Sequence, residues 1–459
     1  MLEKLFKLEA NGTNVKTEIV AGLTTFMTMV YILAVNPSIL TAAPGLENAG
    51  GSILFATAVA SFVACTCMAF FANKPFALSA GLGLNAYFAY TVCGAMGYSW
   101  QVALTAVFAE GLIFLALSLT NVRTAIFNAI PTQLKVAVSV GIGLFITFIG
   151  LQNAKIIVNN ESTLVSLFSV KDAITASTFK TVAVPAIIAL LGVIIIAWLL
   201  VKGVKGYMLL GIVATWVLGI ICEVTGLYVP DPAMGYYSTI PSALISFPDL
   251  SVSTLFKFDF GFITTHFLDF LVVIFAFLFV DIFDTLGTVI GCAAKADMLD
   301  KDGNLPGVKE ILFADAVGTT VGACLGTSTI TTFVESSSGI SEGGRTGLTA
   351  LTTGVLFLVA ILLSPLFLTI PSFATAPALI VVGFLMMQQV KNVEWDNMAE
   401  AIPCFVCIVM MGLSYSISDG IAFGIISYTV INVLLGNTKK VSPLLYVLTV
   451  LFVLKYFII

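Results

Sequence analysis

The chain has 459 residues, of which 59% are hydrophobic and only 10% are charged. Soluble domains carry roughly 25% charged residues, so this composition, with a mean hydropathy of +1.07, excludes a soluble globular protein and indicates a polytopic membrane protein. The net charge of −5 says little about the partners of such a protein. We expect it to contact the lipid bilayer and not to bind nucleic acid.

Apolar runs of about 20 residues recur along the chain and predict fourteen membrane spans. They lie near residues 18–40, 52–71, 76–96, 102–120, 133–151, 181–201, 206–228, 266–291, 311–326, 329–341, 347–369, 376–391, 400–416 and 418–435. The first run lacks a small-residue cleavage site, so we interpret it as a retained span and not as a signal peptide. A further apolar run, 442–459, either spans the membrane or lies in its interface.

The distribution of Lys and Arg predicts the orientation of these spans. With the N-terminus in the cytoplasm, sixteen of the twenty Lys and Arg residues fall on the inner side. The other four, Lys155, Lys171, Lys180 and Lys257, lie in two long outer connections near 152–180 and 229–265. We therefore expect a cytoplasmic N-terminus.

The connection 229–265, in which we expect an interfacial amphipathic piece, divides the chain into two blocks of seven spans. Because seven is odd, the second block enters the membrane from the opposite side. This arrangement is typical of the inverted repeats of secondary transporters.

The third span of each block interrupts the apolar pattern in a similar way. The first contains PFALSAGLGLNAYFAY (75–90) and the second TSTITTFVESSSGI (327–340), with Asn85 and Glu335 as polar side chains. We predict that each begins as a short strand and continues as a half-helix, whose free N–H groups meet at a midplane substrate site. Alternatively, Gly and Ser there only permit close helix packing.

The eighth span, FLVVIFAFLFVDIFDTLGTVIG (270–291), carries Asp281, Asp284, Thr285 and Thr288 on one helical face. A carboxylate in a membrane costs several kcal/mol unless it is neutralised or solvated, and this span holds no cation. These acids are either protonated or accept hydrogen bonds from a ligand's N–H groups. The alternative is a structural role in capping and helix–helix hydrogen bonding.

Other features narrow the class of protein. Glu110 and Asp315, also within spans, are either relay groups or structural acceptors. The single histidine, His266, and eight cysteines in apolar runs predict no metal site, and we expect no cofactor. The absence of a GxxxxGK[ST] loop argues against an ATP-driven pump. The absence of Lys and Arg from span centres disfavours an anionic substrate and favours a neutral solute with N–H donors.

Four separated motifs resemble the AzgA-like branch of the nucleobase–cation symporters, the adenine, guanine and hypoxanthine permeases. They are TEIVAGLTTFMTMVYILAVNP (17–37), GLGLNAYFAY (81–90), FVDIFDTLGT (279–288) and TTFVESSSGISEGGRTGL (331–348). The resemblance implies an all-α membrane protein with fourteen spans in two inverted repeats. It implies core segments at 1–120 and 266–369 and gate segments at 121–228 and 370–435. The outer connection lies between the two halves at 229–265, and the C-terminal apolar helix at 436–459 is additional to the fourteen spans.

The resemblance also assigns roles to residues. Asp281 and Glu335 resemble the acids that hydrogen-bond the nucleobase, and Asn85 resembles the asparagine that supports the site. Asp284 resembles a second span-eight acid that is needed for function. The remaining candidates are the backbone at Gly81, Leu82 and Val334, and a stacking ring from either Phe333 or Phe279.

The leading interpretation is a proton-coupled importer of purine nucleobases in the plasma (inner) membrane, with Glu335, Asp281 or Asp284 carrying the proton. A uracil or xanthine carrier of the same fold is the alternative, and an anion exchanger or membrane enzyme is less consistent with the residues. The sequence leaves open the substrate ranking and whether the gate domain forms a homodimer.

Overall fold

The structure, a computed structural model, describes residues 2–118, 131–231, 236–295, 298 and 305–458. The α-helices in chain order are α1 (Leu2–Phe6), α2 (Val15–Met29), α3 (Ile32–Leu40), α4 (Gly50–Cys67), α5 (Leu82–Ala86), α6 (Trp100–Ser118), α7 (Thr132–Asn153), α8 (Val170–Thr175), α9 (Val184–Val201), α10 (Tyr207–Val224), α11 (Gly261–Thr265), α12 (Phe267–Lys295), α13 (Val308–Leu325), α14 (Ser336–Ser341), α15 (Gly347–Ala360), α16 (Ser364–Thr369), α17 (Ser372–Met387), α18 (Met398–Leu413), α19 (Ile417–Leu434) and α20 (Pro443–Ile458).

Four short strands accompany these helices: β1 (Leu78–Ala80), β2 (Ile157–Asn160), β3 (Leu164–Leu167) and β4 (Ile330–Thr332). Turns of π-helix extend the helical segments at Met68–Ala72, Tyr87–Ala95 and Phe179–Ala183. Strands β2 and β3 form a hairpin in the connection 152–180. The described part of the connection 229–265 includes the five-residue helix α11, and its amphipathic character stays a prediction.

Local sequence explains several helix boundaries. The side chain of Asn14 accepts a hydrogen bond from the Thr17 N–H at 3.0 Å and caps α2. At the end of α13, Gly326 adopts φ of +99°, a left-handed conformation that suits glycine. That turn sends the chain back toward β4, where the predicted site begins.

Helices from the two halves of the chain pack into two groups. In the first, α4 packs against both α13 and α15, α2 packs against α15, and α6 packs against α13 and α12. In the second, α7 packs against α17 and α18, while α9 packs against α10 and α17. Each group therefore combines elements from before and after the outer connection at 229–265.

The C-terminal helix α20 runs antiparallel to α19 along most of its length. The hydroxyls of Thr449 and Thr429 lie 2.9 Å apart, and Tyr456 donates to Asp419, near the start of α19, at 2.7 Å. The ring of Phe452 lies 5.6 Å from that of Phe275 in α12. The last apolar run is therefore packed against helices of the protein body.

Eight helical segments of the described chain are long and apolar enough to cross a membrane, and three further apolar helices are shorter. The protein is a predominantly helical, multi-pass membrane protein. The count of fourteen spans and their inverted symmetry stay predictions.

Candidate substrate site

The two interrupted segments meet as an antiparallel strand pair in the buried interior. The paired residues are Leu78 with Thr332, Ser79 with Thr331, and Ala80 with Ile330. The ladder extends beyond the strands, since Gly81 N–H donates to Thr329 O and Phe333 N–H donates to Ala77 O, both at 3.0 Å. Strand β1 leads into α5, and β4 leads through Glu335 into α14. This is the strand-plus-half-helix geometry that the sequence predicts at both places.

Gly81 is required by the close approach of these segments. A Cβ atom at this position would overlap the side-chain methyl of Thr331. The backbone of Gly81 is extended, with φ of −71°, so the requirement is for space and not for an unusual backbone conformation. A larger residue would push β1 away from β4.

Glu335 lies at the N-terminal boundary of α14 and is half-buried. Tyr31, which is 1% exposed, donates its hydroxyl to Glu335 Oε1 at 2.8 Å. Tyr207, at the start of α10, also lies close enough to interact with the charge of Glu335. The carboxylate is therefore oriented by a phenol from the first half of the chain and keeps exposed surface for another partner.

Asp284 is the second acid of the site with exposed surface. It lies close to Glu335, and Thr331 of β4 donates to its Oδ2 at 3.4 Å. The two acids, although 51 positions apart in the sequence, therefore belong to one half-buried group. The structure thus places Asp284, which the sequence also predicts as a functional acid, next to Glu335.

Asp281, in contrast to Asp284, is fully buried. Its Oδ1 lies 3.4 Å from the Thr285 hydroxyl, and its carboxyl group is hydrogen-bonded to that of Glu110. Sequence reasoning placed Asp281 and Asp284 on one helical face, but packing gives them different exposure.

Asn85 is also 0% exposed. Within the described residues, neither Nδ2 nor Oδ1 of Asn85 has a hydrogen-bond partner. A buried amide without partners costs about 1–3 kcal/mol. Asn85 therefore stays a candidate residue of the site.

The remaining candidates line or support the strand pair. Leu82, Phe333 and Phe279 are 8%, 7% and 3% exposed, whereas Val334, beside Glu335, is 56% exposed. Phe279 packs against Phe275 at a ring distance of 5.5 Å. Of the two rings proposed for stacking, Phe333 is the one that directly precedes the exposed Val334.

Two contacts were missed by sequence reasoning. The first is the contact of Tyr31 with Glu335. Tyr31 carries no charge, so the sequence does not distinguish it from the other aromatic residues of the apolar spans. Glu18 is a fully buried carboxylate that accepts hydrogen bonds from the N–H groups of Arg345, Thr346 and Thr349 at 2.8, 3.3 and 3.2 Å. It therefore caps α15 and joins the first and fourth sequence motifs.

The chemistry of the site is that of hydrogen-bond acceptors. Within the part of the chain that the structure describes, no Lys or Arg pairs with Glu335, Asp284 or Glu110. The same residues contain no group of three or more His, Cys, Asp or Glu able to hold a metal ion. Carboxylates without cationic partners are suited to a neutral ligand that donates N–H groups.

Comparisons with known proteins identify the family of this chain and proteins of similar fold. The sequence pattern of the permease family matches residues 16–423. The guanine/hypoxanthine permease PbuG of Bacillus subtilis is 42% identical over 463 residues, covering 100% of this chain and 99% of its own. The adenine permease AdeP of Escherichia coli is 39% identical over 459 residues, covering 99% and 96%. The transmembrane domain of a cyanobacterial bicarbonate transporter, BicA, is similar in fold, with a TM-score of 0.63 at 19% identity, covering 88% of this chain and 97% of that one.

Proposed function

The chain belongs to the permease family, and from this we propose that it imports the purine nucleobases adenine, guanine and hypoxanthine by proton symport. The family and the close relatives are permeases, so the protein is a transporter and not an enzyme. Relatives that span nearly its whole length are named for guanine/hypoxanthine and for adenine transport.

The observation that carries the proposal is the strand pair β1–β4, which holds two half-buried acids together without a cationic partner. A purine edge presents N–H donors beside ring-nitrogen acceptors, and a carboxylate is the stronger kind of acceptor for such donors. Glu335, held by Tyr31 at 2.8 Å, and Asp284 are the proposed acceptors. A site built this way rejects analogues that leave its acceptors unpaired.

The other predicted residues have supporting roles in this proposal. Asn85 supplies an amide whose hydrogen bonds are otherwise unmade, and backbone groups at Gly81, Leu82 and Val334 complete the polar contacts. Phe333 or Phe279 stacks on the base. Asp281, which is fully buried, acts in proton coupling and reaches the substrate only after rearrangement.

Transport is proposed to proceed by movement of a core domain (1–120 and 266–369) against a gate domain (121–228 and 370–435). Two observations support this division. The helices pack into two groups, each built from both halves of the chain. The antiparallel β1–β4 pair has the local two-fold symmetry expected where two inverted repeats of seven spans meet. The protein would lie in the plasma (inner) membrane with a cytoplasmic N-terminus.

The test is uptake of labelled hypoxanthine into cells or proteoliposomes, with adenine, guanine, xanthine and uracil as competitors. We expect competition by the three purines named above and loss of accumulation when the proton gradient is dissipated. Preferential competition by uracil or xanthine would favour the alternative carrier of the same fold. Uptake that persists with a sodium gradient alone would refute proton coupling.

The matched variants are Glu335→Gln and Glu161→Gln. Glutamine at 335 removes the charged acceptor while keeping the shape, so uptake should fall to background with the protein still in the membrane. Glu161 is exposed in the β2–β3 turn, and its substitution should leave uptake unchanged. Normal uptake by Glu335→Gln would refute the site assignment.

A further inference from the structure

Three carboxyl groups from three helices meet behind the candidate substrate site. Glu110 of α6, Asp281 of α12 and Asp315 of α13 are each 0% exposed. Glu110 is hydrogen-bonded to Asp281, and Asp315 lies close enough to interact with Glu110. The substrate-facing acids Asp284 and Glu335, in contrast, keep exposed surface.

The surroundings of Glu110 favour a proton within this group. Its Oε2 accepts from the Thr329 hydroxyl at 3.0 Å. Its Oε1 is buried, and within the described residues no hydroxyl, amide or ammonium group donates to it; its neighbour is the carboxyl group of Asp281. Two carboxyl groups can form a hydrogen bond only when one of them is protonated. If both were ionised, each would face a like charge at a fully buried position.

A line of hydroxyls joins this group to the substrate side. Thr285 Oγ1 donates to Asp315 Oδ2 at 3.0 Å and lies 3.2 Å from Thr331 Oγ1, which in turn lies 3.4 Å from Asp284 Oδ2. Thr285 has one hydroxyl hydrogen and several oxygen neighbours. A change in charge among the buried acids therefore changes the direction in which Thr285 donates and, through Thr331, the hydrogen bond to Asp284.

We propose that Glu110, Asp281 and Asp315 together hold the transported proton, shared mainly between Glu110 and Asp281, and that Glu110 is a coupling residue which does not touch the substrate. The proposal rests on the function proposed above. No covalent step is involved: one proton enters the group with the substrate and leaves it on the other side of the membrane.

The surrounding titratable groups are consistent with this role. Asp284 of α12 faces the group through Thr331, and Glu335 lies beside Asp284. On α4, the thiol of Cys65 forms hydrogen bonds with the backbone of Leu78 in β1. In the described residues, no Lys or Arg from these elements pairs with Glu110. A proton, and not a basic side chain, is therefore left to offset the charge.

The test compares Glu110→Gln with Glu310→Gln, a change at an exposed position of α13. Glutamine keeps the shape and hydrogen-bonding capacity of Glu110 but cannot release a proton. In Glu110→Gln we expect hypoxanthine binding to purified protein within about threefold of the wild type, continued exchange of internal for external hypoxanthine, and loss of gradient-driven accumulation. Its binding should also lose most of its pH dependence, whereas Glu310→Gln should match the wild type.

Infrared spectroscopy gives a readout that does not depend on transport. The wild type should show a carbonyl stretch of a protonated carboxyl group that shifts in D2O and is absent from Glu110→Gln. If Glu110→Gln does not fold, Asp281→Asn is measured in its place, because Asp281 is the other carboxyl group that shares the proton in this proposal. Normal accumulation with unchanged pH dependence, or an unchanged infrared band, would overturn the proposal. Absence of purine binding by the wild type would instead refute the proposed function. The infrared band would then still show whether Glu110 belongs to a protonated carboxyl group.

Discussion

The hydrogen bond between Tyr31 and Glu335 gives a sharp test of how the site is oriented. Tyr31→Phe removes one hydroxyl and leaves a ring that is 1% exposed in place, so packing should be retained. The lost bond is 2.8 Å long and ends on a carboxylate. Hydrogen bonds to charged groups contribute about 1.5–3 kcal/mol. Because Glu335 is half-buried, we take the lower end, which corresponds to about tenfold weaker hypoxanthine binding.

The measurement is the equilibrium binding of labelled hypoxanthine to purified Tyr31→Phe. Tyr237→Phe is the matched control, because Tyr237 is 64% exposed and lies in the outer connection. Its affinity and thermal stability should equal those of the wild type. If Tyr31→Phe binds as tightly as the control, or more tightly, the hydroxyl does not hold Glu335 in its acceptor orientation, and the reasoning fails.

Two further predictions concern the body of the protein. Glu18→Ala leaves the N–H groups of Arg345, Thr346 and Thr349 without their buried acceptor and should destabilise the protein by about 3 kcal/mol or more. Thermal unfolding measures this, and a loss no larger than that of the exposed Glu9→Ala would contradict it. Helix α20 runs antiparallel to α19, and its 16 residues extend about 24 Å. We therefore expect α20 to cross the membrane, so that a tag after residue 459 and a tag at residue 437 lie on opposite membrane faces. Labelling of both tags by one impermeant reagent would show instead that α20 lies in the interface.

Much of the fold could be predicted because a bilayer imposes simple rules. Apolar length identifies the helices, and interruptions such as those at 75–90 and 327–340 must be buried in protein or line a cavity. Both segments do contain a short strand and a short helix. The sequence did not determine whether 442–459 packs with the other helices. That depends on contacts such as Thr449 with Thr429, which no apolar pattern specifies.

The site was predicted less completely than the fold. Glu335 and the span-eight acids are visible in the sequence because a carboxylate in an apolar run is costly. The sequence does not show which of these acids are half-buried and which are fully buried. Asp281 and Asp284 lie on one helical face, so the helical pattern predicts the same exposure for both. The partners Tyr31 and Glu110 come from other spans, and only the packing of those spans shows which acid each one meets.

The sequence by itself therefore indicated a multi-pass membrane permease with one acid, Glu335, in the interrupted segment 327–340 and two more, Asp281 and Asp284, in the apolar run 270–291. It did so because unpaired polar groups in hydrocarbon are too costly to retain without a function. Only the tertiary structure decided which acids are half-buried beside the strand pair and which are fully buried. Exposure and hydrogen-bond partners are set by how β1, β4 and their neighbouring helices pack, and those contacts join residues hundreds of positions apart.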